Sequence, residues 1–542
     1  MVVIRDSSEF LNRNFGDDFI HQLQRYASVI GFSVETDNGT VKVEFNPDRP
    51  DLYSFYSLNR SMEIFDSASI PGIIDIQDSD FDVHIEKNAL SIRPYFLSLL
   101  AEGDKLAEKL PRIIEYQERL HDTIGRERRS ASIGIHSISK SCTSVSYSLK
   151  ESRSVSIKTF DGDFDGTAFD LMSGHPLGKK YVSLIPSADR VNVIEDADGN
   201  VMSVPPISNS YSTRLTENST RLFVDIEGTD KMAVFHVFFL MAYELQAMGY
   251  AVSMPRHHGL DRKIIPELVA ENGREIKFSY DDILKVLGFD SSEESISDSL
   301  RRMGYVATPS YNGYVVTIPG NRVDVMGAVD VIEDIAKGVG YDQIPFTPIK
   351  PQTHGIAHND DDVIETASHL LIGSGYQEVK SFVVGSQLPF SFLAYRGDVT
   401  IFNPKSSDFS VVRDRLYVNM LEIIKQNRRR AMPQKIFEIG DIIEYGNQKT
   451  HLCFMIHDTK APFSAVKQVL EYLVGRFTPS RPVINRSDED GLVPGRSGSI
   501  YLDGKNIGFI GEMHPALLEL FGIADPIALG EMDISALLEI SS

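Results

Sequence analysis

The chain is 542 residues long with a formal net charge of −22 at pH 7, too long for one hydrophobic core, so roughly three to four domains are expected. Hydrophobic residues at 42% and charged residues at 24% are ordinary for a soluble globular protein, and no apolar run approaches the roughly 18 residues needed to span a bilayer. The acidic balance excludes a surface built mainly to grip RNA, because that affinity comes from Lys and Arg displacing counterions from phosphates.

The amino terminus carries Arg5 and then Asp6 with no apolar h-region, so no signal peptide is expected. Cys142 and Cys453 lie too far apart to read as a disulfide framework and fit a reducing cytoplasm. Residues 1–85 form an expected first α+β domain. The pattern predicts a helix over Asn12–Ile30, a hairpin over Val34–Glu44 with Asp37-Asn38-Gly39 at its tip, and a helix over Leu52–Phe65 after the turn forced by Pro47 and Pro50.

Residues 86–270 read as a longer domain. Arg93-Pro94-Tyr95-Phe96 opens a strand, Asp104–Arg119 is helical, and a further strand or turn follows through His136. Glu118, His121, Asp122 and His136 read either as a hydrolase or metal cluster or as hydrogen-bonded structural groups; His121 has no histidine four residues on, so it makes no zinc-protease motif. Ala197–Asn200 is a turn between two strands, Pro205-Pro206 ends the second, and 220–230 is a buried strand with a Gly-Thr turn. Lys231–Met248 is apolar on most faces and therefore a buried helix.

Residues 271–348 read as a small domain with a strand, a helix capped by Ser279, a helix over Ser295–Met303 ended by Gly304, and a strand over Gly313–Ile318. A helix over Ala328–Val339 follows, with Gly338 and Gly340 ending it. Asp330, Glu333 and Asp334 fall on one face of this helix, and Asp324 precedes it. Hard oxygen ligands in that number suit Mg²⁺; the alternative is a solvated acidic face partly offset by Lys337. Residues 349–542 alternate helices and strands as one more domain. Two basic clusters, Arg126–Arg129 and Lys425–Arg430 with Lys435, read either as local RNA contacts or as solvated helix faces.

Several stretches together resemble one family. The runs NRVDV (321–325), VDVIEDIA (329–336) and GYDQIP (340–345), the turn FNPDRPDLYS (45–54), the run QERLHDTIGRERR (117–129) and the strand ending DIEGTD (225–230) occur in the order found in the phenylalanyl-tRNA synthetase beta-subunit family. Length, and no amino-terminal oligonucleotide-binding extension, fit its archaeal and eukaryotic type.

The resemblance implies an α+β multidomain fold with an editing-type mixed α/β domain, a small metal-binding domain and a carboxyl-terminal antiparallel sheet of class II synthetase type. It implies Mg²⁺ on Asp324, Asp330, Glu333 and Asp334 beside the alpha-subunit contact. It also implies a hydrolytic pocket for tyrosine misattached to phenylalanine tRNA, with Ile194, Ser203, Asp225 and Glu227 as its candidates. Glu227 departs from the family, which has threonine there. Arg413 and Arg415 lead into a leucine-rich helix, and Gly495-Arg496 lacks the third class II motif, so the last module reads as an inactive copy. The expected function is a cytoplasmic beta subunit in an (alpha-beta)₂ tetramer, with ATP, phenylalanine and catalysis of charging on the alpha subunit. The rivals are a structural subunit with a dead pocket and a free-standing aminoacyl-tRNA deacylase.

Overall fold

The computed structural model describes residues 2–67, 73–346, 348, 355, 359–392, 399–535 and 537. It is a mixed α+β chain that divides into two compact units, Met1–Pro348 and Ile349–Ser542.

The first unit begins with an antiparallel sheet of β1 (Val2–Ser7), β2 (Ser33–Asp37) and β3 (Thr40–Phe45) in the order β1-β3-β2. Asn38 at φ 48° and Gly39 at φ 76° form the two-residue tip between β2 and β3. The helix expected over Asn12–Ile30 is instead two, Ser8–Phe15 and Phe19–Ile30. Gly16, at φ 100°, ends the first by returning its N–H to Asn12 O at 2.9 Å. The next helix runs Phe55–Ser67, after a 3₁₀ turn over Pro50–Leu52.

Nine strands make the large sheet. β4 (Gln77–Ile85), β5 (Tyr95–Glu102), β6 (Ala131–Ser137) and β7 (Ser144–Glu151) precede a separate hairpin of β8 (Ser156–Lys158) and β9 (Asp165–Thr167). Then come β10 (Arg190–Asp196), β11 (Val201–Val204), β12 (Ser208–Asn209), β13 (Arg221–Gly228) and β14 (Ala251–His258). The order is β12-β11-β10-β7-β4-β14-β5-β13-β6. Its two ends come together, since Asn209 of β12 donates Nδ2–H to Ile135 O of β6 at 3.4 Å.

The helix Lys231–Ala247 is apolar all round and packs against β5 and β13, burying Leu222, Val224 and Ile226 from one face of β13. Asp230 caps it, accepting from Ala233 N at 2.9 Å. Glu244 is fully buried in its interior, with Ser54 Oγ 2.6 Å from both carboxylate oxygens. Burial lifts this carboxyl from 4.5 to about 7 against the opposing Ser54 bond.

A third sheet, β15 (Arg274–Ser279), β16 (Val306–Ser310) and β17 (Gly313–Ile318), carries helices Tyr280–Leu287, Glu293–Arg302 and Ala328–Val339. Ser279 and Asp282 form a reciprocal capping box, Asp282 N to Ser279 Oγ at 3.1 Å and Ser279 N to Asp282 Oδ2 at 2.9 Å. Gly338 does not end its helix; a Cβ there would lie 2.5 Å from Ser299 Cβ, so the glycine lets two helices touch. Gly340 is the terminator.

In the second unit, β18 (Gln377–Glu378), β19 (Val384–Gly385), β20 (Val399–Thr400) and β21 (Val411–Val412) precede the long strands β22 (Gln434–Glu444) and β23 (Asn447–His457). β24 (Val483–Arg486), β25 (Leu492–Leu502), β26 (Lys505–Met513) and β27 (Ile527–Asp533) complete a seven-stranded sheet in the order β18-β22-β23-β27-β26-β25-β24. Only the β18–β22 pair is parallel. Alternate residues of β23 enter two apolar clusters, Phe454 with Leu470 and Ile510, and Cys453 with Tyr417 and Leu529, so both faces are covered. Among the described residues no helix is long and apolar enough to cross a membrane.

Two measurements test these packings. Gly338→Ala is predicted to lower stability in urea unfolding by about 1–3 kcal/mol. Gly475→Ala, in helix Phe463–Phe477 where a Cβ meets nothing within 4 Å, should raise it by about 0.5–1 kcal/mol. For Glu244, the folded chain holds a proton between about 4.5 and 7 that the unfolded chain has released. Its stability contribution is therefore complete below that window and falls as pH rises through it. Glu244→Gln should flatten that segment of the Tm–pH curve, by the equivalent of about 3 kcal/mol.

Candidate functional site

A cavity of about 430 Å³ lies where β6 faces β11 and β12. Gly134 and Ile135 of β6, Ser203 of β11 and Asp225 of β13 form its floor, with Leu177 and Pro205 among its apolar walls. Lys180 and Arg214 are exposed at its edge, as is Phe160 at 51%, and Arg128 is part of its lining.

The strand register explains the floor. Asp225 pairs with Gly134 across β13 and β6, so both point to the same face, as do Phe223 and its partner His136. A Cβ on Gly134 would lie 2.3 Å from Asp225 Oδ1 and 2.8 Å from Oδ2; the carboxylate occupies the space a side chain would fill. His136 Nε2 lies 2.8 Å from Asp225 Oδ1, and its Nδ1 lies 2.9 Å from Thr213 Oγ1.

Of the four residues expected in a pocket, the structure brings Ser203 and Asp225 to the cavity and leaves two outside its lining. Ser203 Oγ lies 3.1 Å from Asn209 Oδ1. Ile194 pairs with Ser203 across β10 and β11 but is buried in the apolar cluster with Tyr147, Met202 and Phe223. Glu227 is 0% exposed, with Arg93 Nε 3.6 Å from its Oε1. Neither Glu227 oxygen makes a hydrogen bond of ordinary geometry among the described residues. Burial drives this carboxyl well above its usual range; Arg93 opposes the shift and the Asp225 charge reinforces it.

Arg128 reaches the cavity from a left-handed turn. Arg126, Glu127 and Arg128 have φ of 48°, 56° and 67° in succession, a run that L-residues adopt at about 1–2 kcal/mol each. The turn is fastened by Glu127 N to His121 O at 2.7 Å, Ser130 N to Gly125 O at 2.9 Å and Arg93 Nη2 to Arg128 O at 3.0 Å. Arg128 itself donates to Pro206 O at 3.1 Å and to Glu118 Oε1 at 3.0 Å, and its guanidinium sits 4.6 Å from the Tyr181 ring centre. His121 accepts from Ile133 N at 2.8 Å through Nε2, which puts its proton on Nδ1, 3.0 Å from Glu118. It is a bracing group, and burial lowers its pKa. Burial works against the Glu118 charge, but His121 and Arg128 bring the carboxyl down to about 2.

The four acids of the small domain do not meet at one point. Arg322, buried, holds Asp324 through bonds of 2.9 and 2.7 Å and Asp334 at 2.5 Å. Tyr305 OH donates to Asp334 at 2.6 Å. Asp330 accepts from Met326 N and Gly327 N, both at 2.8 Å, which caps the helix start. Glu333 is exposed and pairs with Lys337 at 3.1 Å. Among the described residues no three His, Cys, Asp or Glu side chains converge so as to hold a metal ion. The oxygens that Mg²⁺ would need are taken by Arg322, Lys337 and backbone N–H groups, so this arrangement does not fit the ion.

In the second unit Arg413 is buried with Glu438 at 2.7 Å and Ser381 Oγ at 2.8 Å. Arg415 pairs with Asp414 at 3.0 Å. Glu531 accepts from Leu416 N at 2.9 Å and Tyr417 N at 3.1 Å. These three charges are satisfied internally.

Sequence reading missed Gly134, Thr213 and Arg93; only the basic run at Arg126–Arg129 and the mention of His136 pointed near them. These residues meet through strand pairing over long separations, and a single sequence carries no local signal for that.

Comparison with known proteins agrees over the whole chain. A family model described as the tRNA synthetase B5 domain matches residues 276–341, and one described as the phenylalanyl tRNA synthetase beta chain CLM domain matches 344–534. Together they define a component of the tRNA synthetase machinery. The phenylalanine–tRNA ligase beta subunit of Thermoplasma volcanium is 39% identical over 540 residues, covering 99% of each chain. That of Thermoplasma acidophilum is 40% identical over 536 residues, covering 98% of each. An amino-terminal fragment of the phenylalanyl-tRNA synthetase beta subunit from Pyrococcus horikoshii matches with TM-score 0.56 and 25% identity, covering 62% of this chain and 100% of the fragment. The chain belongs to the family of phenylalanine–tRNA ligase beta subunits.

The acidic cluster yields a prediction. Arg322→Met, which strands Asp324 and Asp334, should lower stability by about 3–5 kcal/mol in urea unfolding. Exhaustive chelation followed by Mg²⁺ addition should leave the Tm of the isolated chain unchanged; a shift of several degrees would show that the ion displaces Arg322.

Proposed function

We propose that this beta subunit works beside an alpha subunit, in an (alpha-beta)₂ tetramer, and that its cavity hydrolyses tyrosine wrongly esterified to phenylalanine tRNA. In this reading ATP-dependent charging with phenylalanine is carried out by the alpha subunit. The internal pairing of Arg413 and Arg415 supports that division, because a class II-like sheet needs free arginines to clamp ATP phosphates. Mg²⁺ on Asp324, Asp330, Glu333 and Asp334, which the family implies, supplies no step here.

The placement of Asp225 carries the hydrolytic half. A phenolic hydroxyl entering the cavity can donate to this carboxylate, whereas phenylalanine would cover it and leave it without that partner. A site built to bond a hydroxyl rejects the analogue lacking it by about 10⁴–10⁵-fold. Water would add to the ester carbonyl carbon, the bond to the ribose oxygen would break, and that oxygen would take a proton to leave free tyrosine and uncharged tRNA. Lys180 and Arg214, both exposed, give a local positive edge in an acidic chain, suited to the few phosphates of an RNA end, while Arg128 is paired with Glu118. Phe160 offers an exposed ring on which a base can stack. Glu227 lies outside the cavity lining and so gives no reason to treat the pocket as filled.

The first test is charging of phenylalanine tRNA by this chain alone and after co-expression with its alpha subunit. Activity is expected only in the pair; charging by this chain alone would overturn the division of labour. Tyrosyl-tRNA added to the pair should lose its amino acid at least about 10-fold faster with the native chain than with Asp225→Ala. Equal rates would remove the hydrolytic half.

A further inference from the structure

We propose that His136 is the positioning residue that holds the Asp225 carboxylate in the cavity floor, with the Thr213 hydroxyl setting the imidazole tautomer. The proposal rests on the hydrolytic reading of that cavity and names what makes it selective.

Asp225 and His136 are both buried, at 1% and 0% exposure. A buried carboxylate that must read an incoming hydroxyl needs a fixed orientation while keeping acceptor capacity for the ligand. Gly134 supplies the room, since any Cβ there would collide with both oxygens. His136 supplies the hold. An ionised carboxylate only accepts, so the 2.8 Å contact places the imidazole proton on Nε2. With the ring neutral, Nδ1 accepts, and the Thr213 hydroxyl 2.9 Å away donates to it in preference to Met202 O at 3.4 Å.

The chain of donors therefore runs Thr213 to His136 to Asp225 and ends at the cavity floor. Thr213 is partly exposed and lies on the wall of a second, serine-rich cavity of about 690 Å³. Glu227, the next residue on the same face of β13, also faces Asp225, and Arg93 Nε lies 3.6 Å from Glu227. Without the Thr213 hydroxyl the imidazole is free to move its proton to Nδ1. Nε2 would then present a lone pair to the carboxylate, and the carboxylate would turn away from it.

The readout is selectivity in the assembled alpha–beta complex: kcat and KM for deacylation of tyrosyl-tRNA and of phenylalanyl-tRNA. His136→Ala should reduce the tyrosine-over-phenylalanine ratio of kcat/KM by about 100-fold, chiefly through KM for tyrosyl-tRNA. His136→Gln, whose amide can still donate to Asp225, should recover most of it. Because His136 is in the core, Thr213→Val serves as the near-isosteric test at a partly exposed position. It should lower the ratio by about 10-fold, and Thr213→Ser should restore it. A native ratio in folded Thr213→Val and His136→Ala would overturn the positioning role while leaving the hydrolytic reading intact. Equal loss for both substrates, with no change in ratio, would overturn it as well, since that is the mark of general distortion. No hydrolysis of tyrosyl-tRNA by the native complex would remove the reading and the proposal together.

Discussion

Two carboxylates buried two residues apart on one strand set the terms for the cavity. Asp225 and Glu227 share a face of β13 because side chains alternate along a strand, and the opposite face is taken by the apolar packing against Lys231–Ala247. Two like charges on adjacent positions of a buried face cannot both persist at modest cost. The protein resolves them differently. Asp225 has space from Gly134 and the His136 ring 2.8 Å away. Glu227 sits beside Arg93, and burial raises its pKa. Arg93 also bonds the backbone oxygens of Glu227 and Arg128, so the strand that carries the carboxylates is tied to the turn that carries the cation.

The same rule governs the acidic helix of the small domain. Three acids at spacings of three and four look like a ligand set, yet they are held by separate groups: Asp330 by a helix start, Glu333 by Lys337, and Asp334 by a buried guanidinium together with Lys337. Arg322 bonds Asp324 and Asp334 at once, which joins the approach loop to the helix. Breaking such a buried network is costly because the remaining charges have nowhere to go. In the second unit, Arg413 with Glu438 and Glu531 with two backbone N–H groups repeat the arrangement. Charge inside this protein serves the fold first, and Asp225 also lines a cavity.

Local chemistry was legible in the sequence. The Asp37–Gly39 tip, the Ser279 cap, the all-apolar helix after Asp230 and the buried strand before it depend on neighbours within a few residues, and the structure has them in place. Asp225 and Ser203 were found by resemblance and lie on the cavity. Ile194 lies on β10 beside Ser203, but an ungapped comparison cannot say which rung of a curled sheet reaches the space. Gly338 read as a stop because a helix-ending glycine and a helix-contact glycine look alike in one sequence; only the position of Ser299 separates them. The split at Gly16 was missed because apolar periodicity runs on through it. Arg93 with Glu227, and His136 with Thr213, pair across 134 and 77 residues, distances over which periodicity is silent.

The left-handed turn at Arg126–Arg128 bears on how an RNA end would be received. A cation on a loose loop loses backbone freedom when its anion arrives, and that loss subtracts from affinity. Here the backbone is already confined to an unfavourable region and fastened to His121, Gly125 and Arg93 during folding. In the proposed reading the guanidinium would meet an RNA end with little backbone left to order.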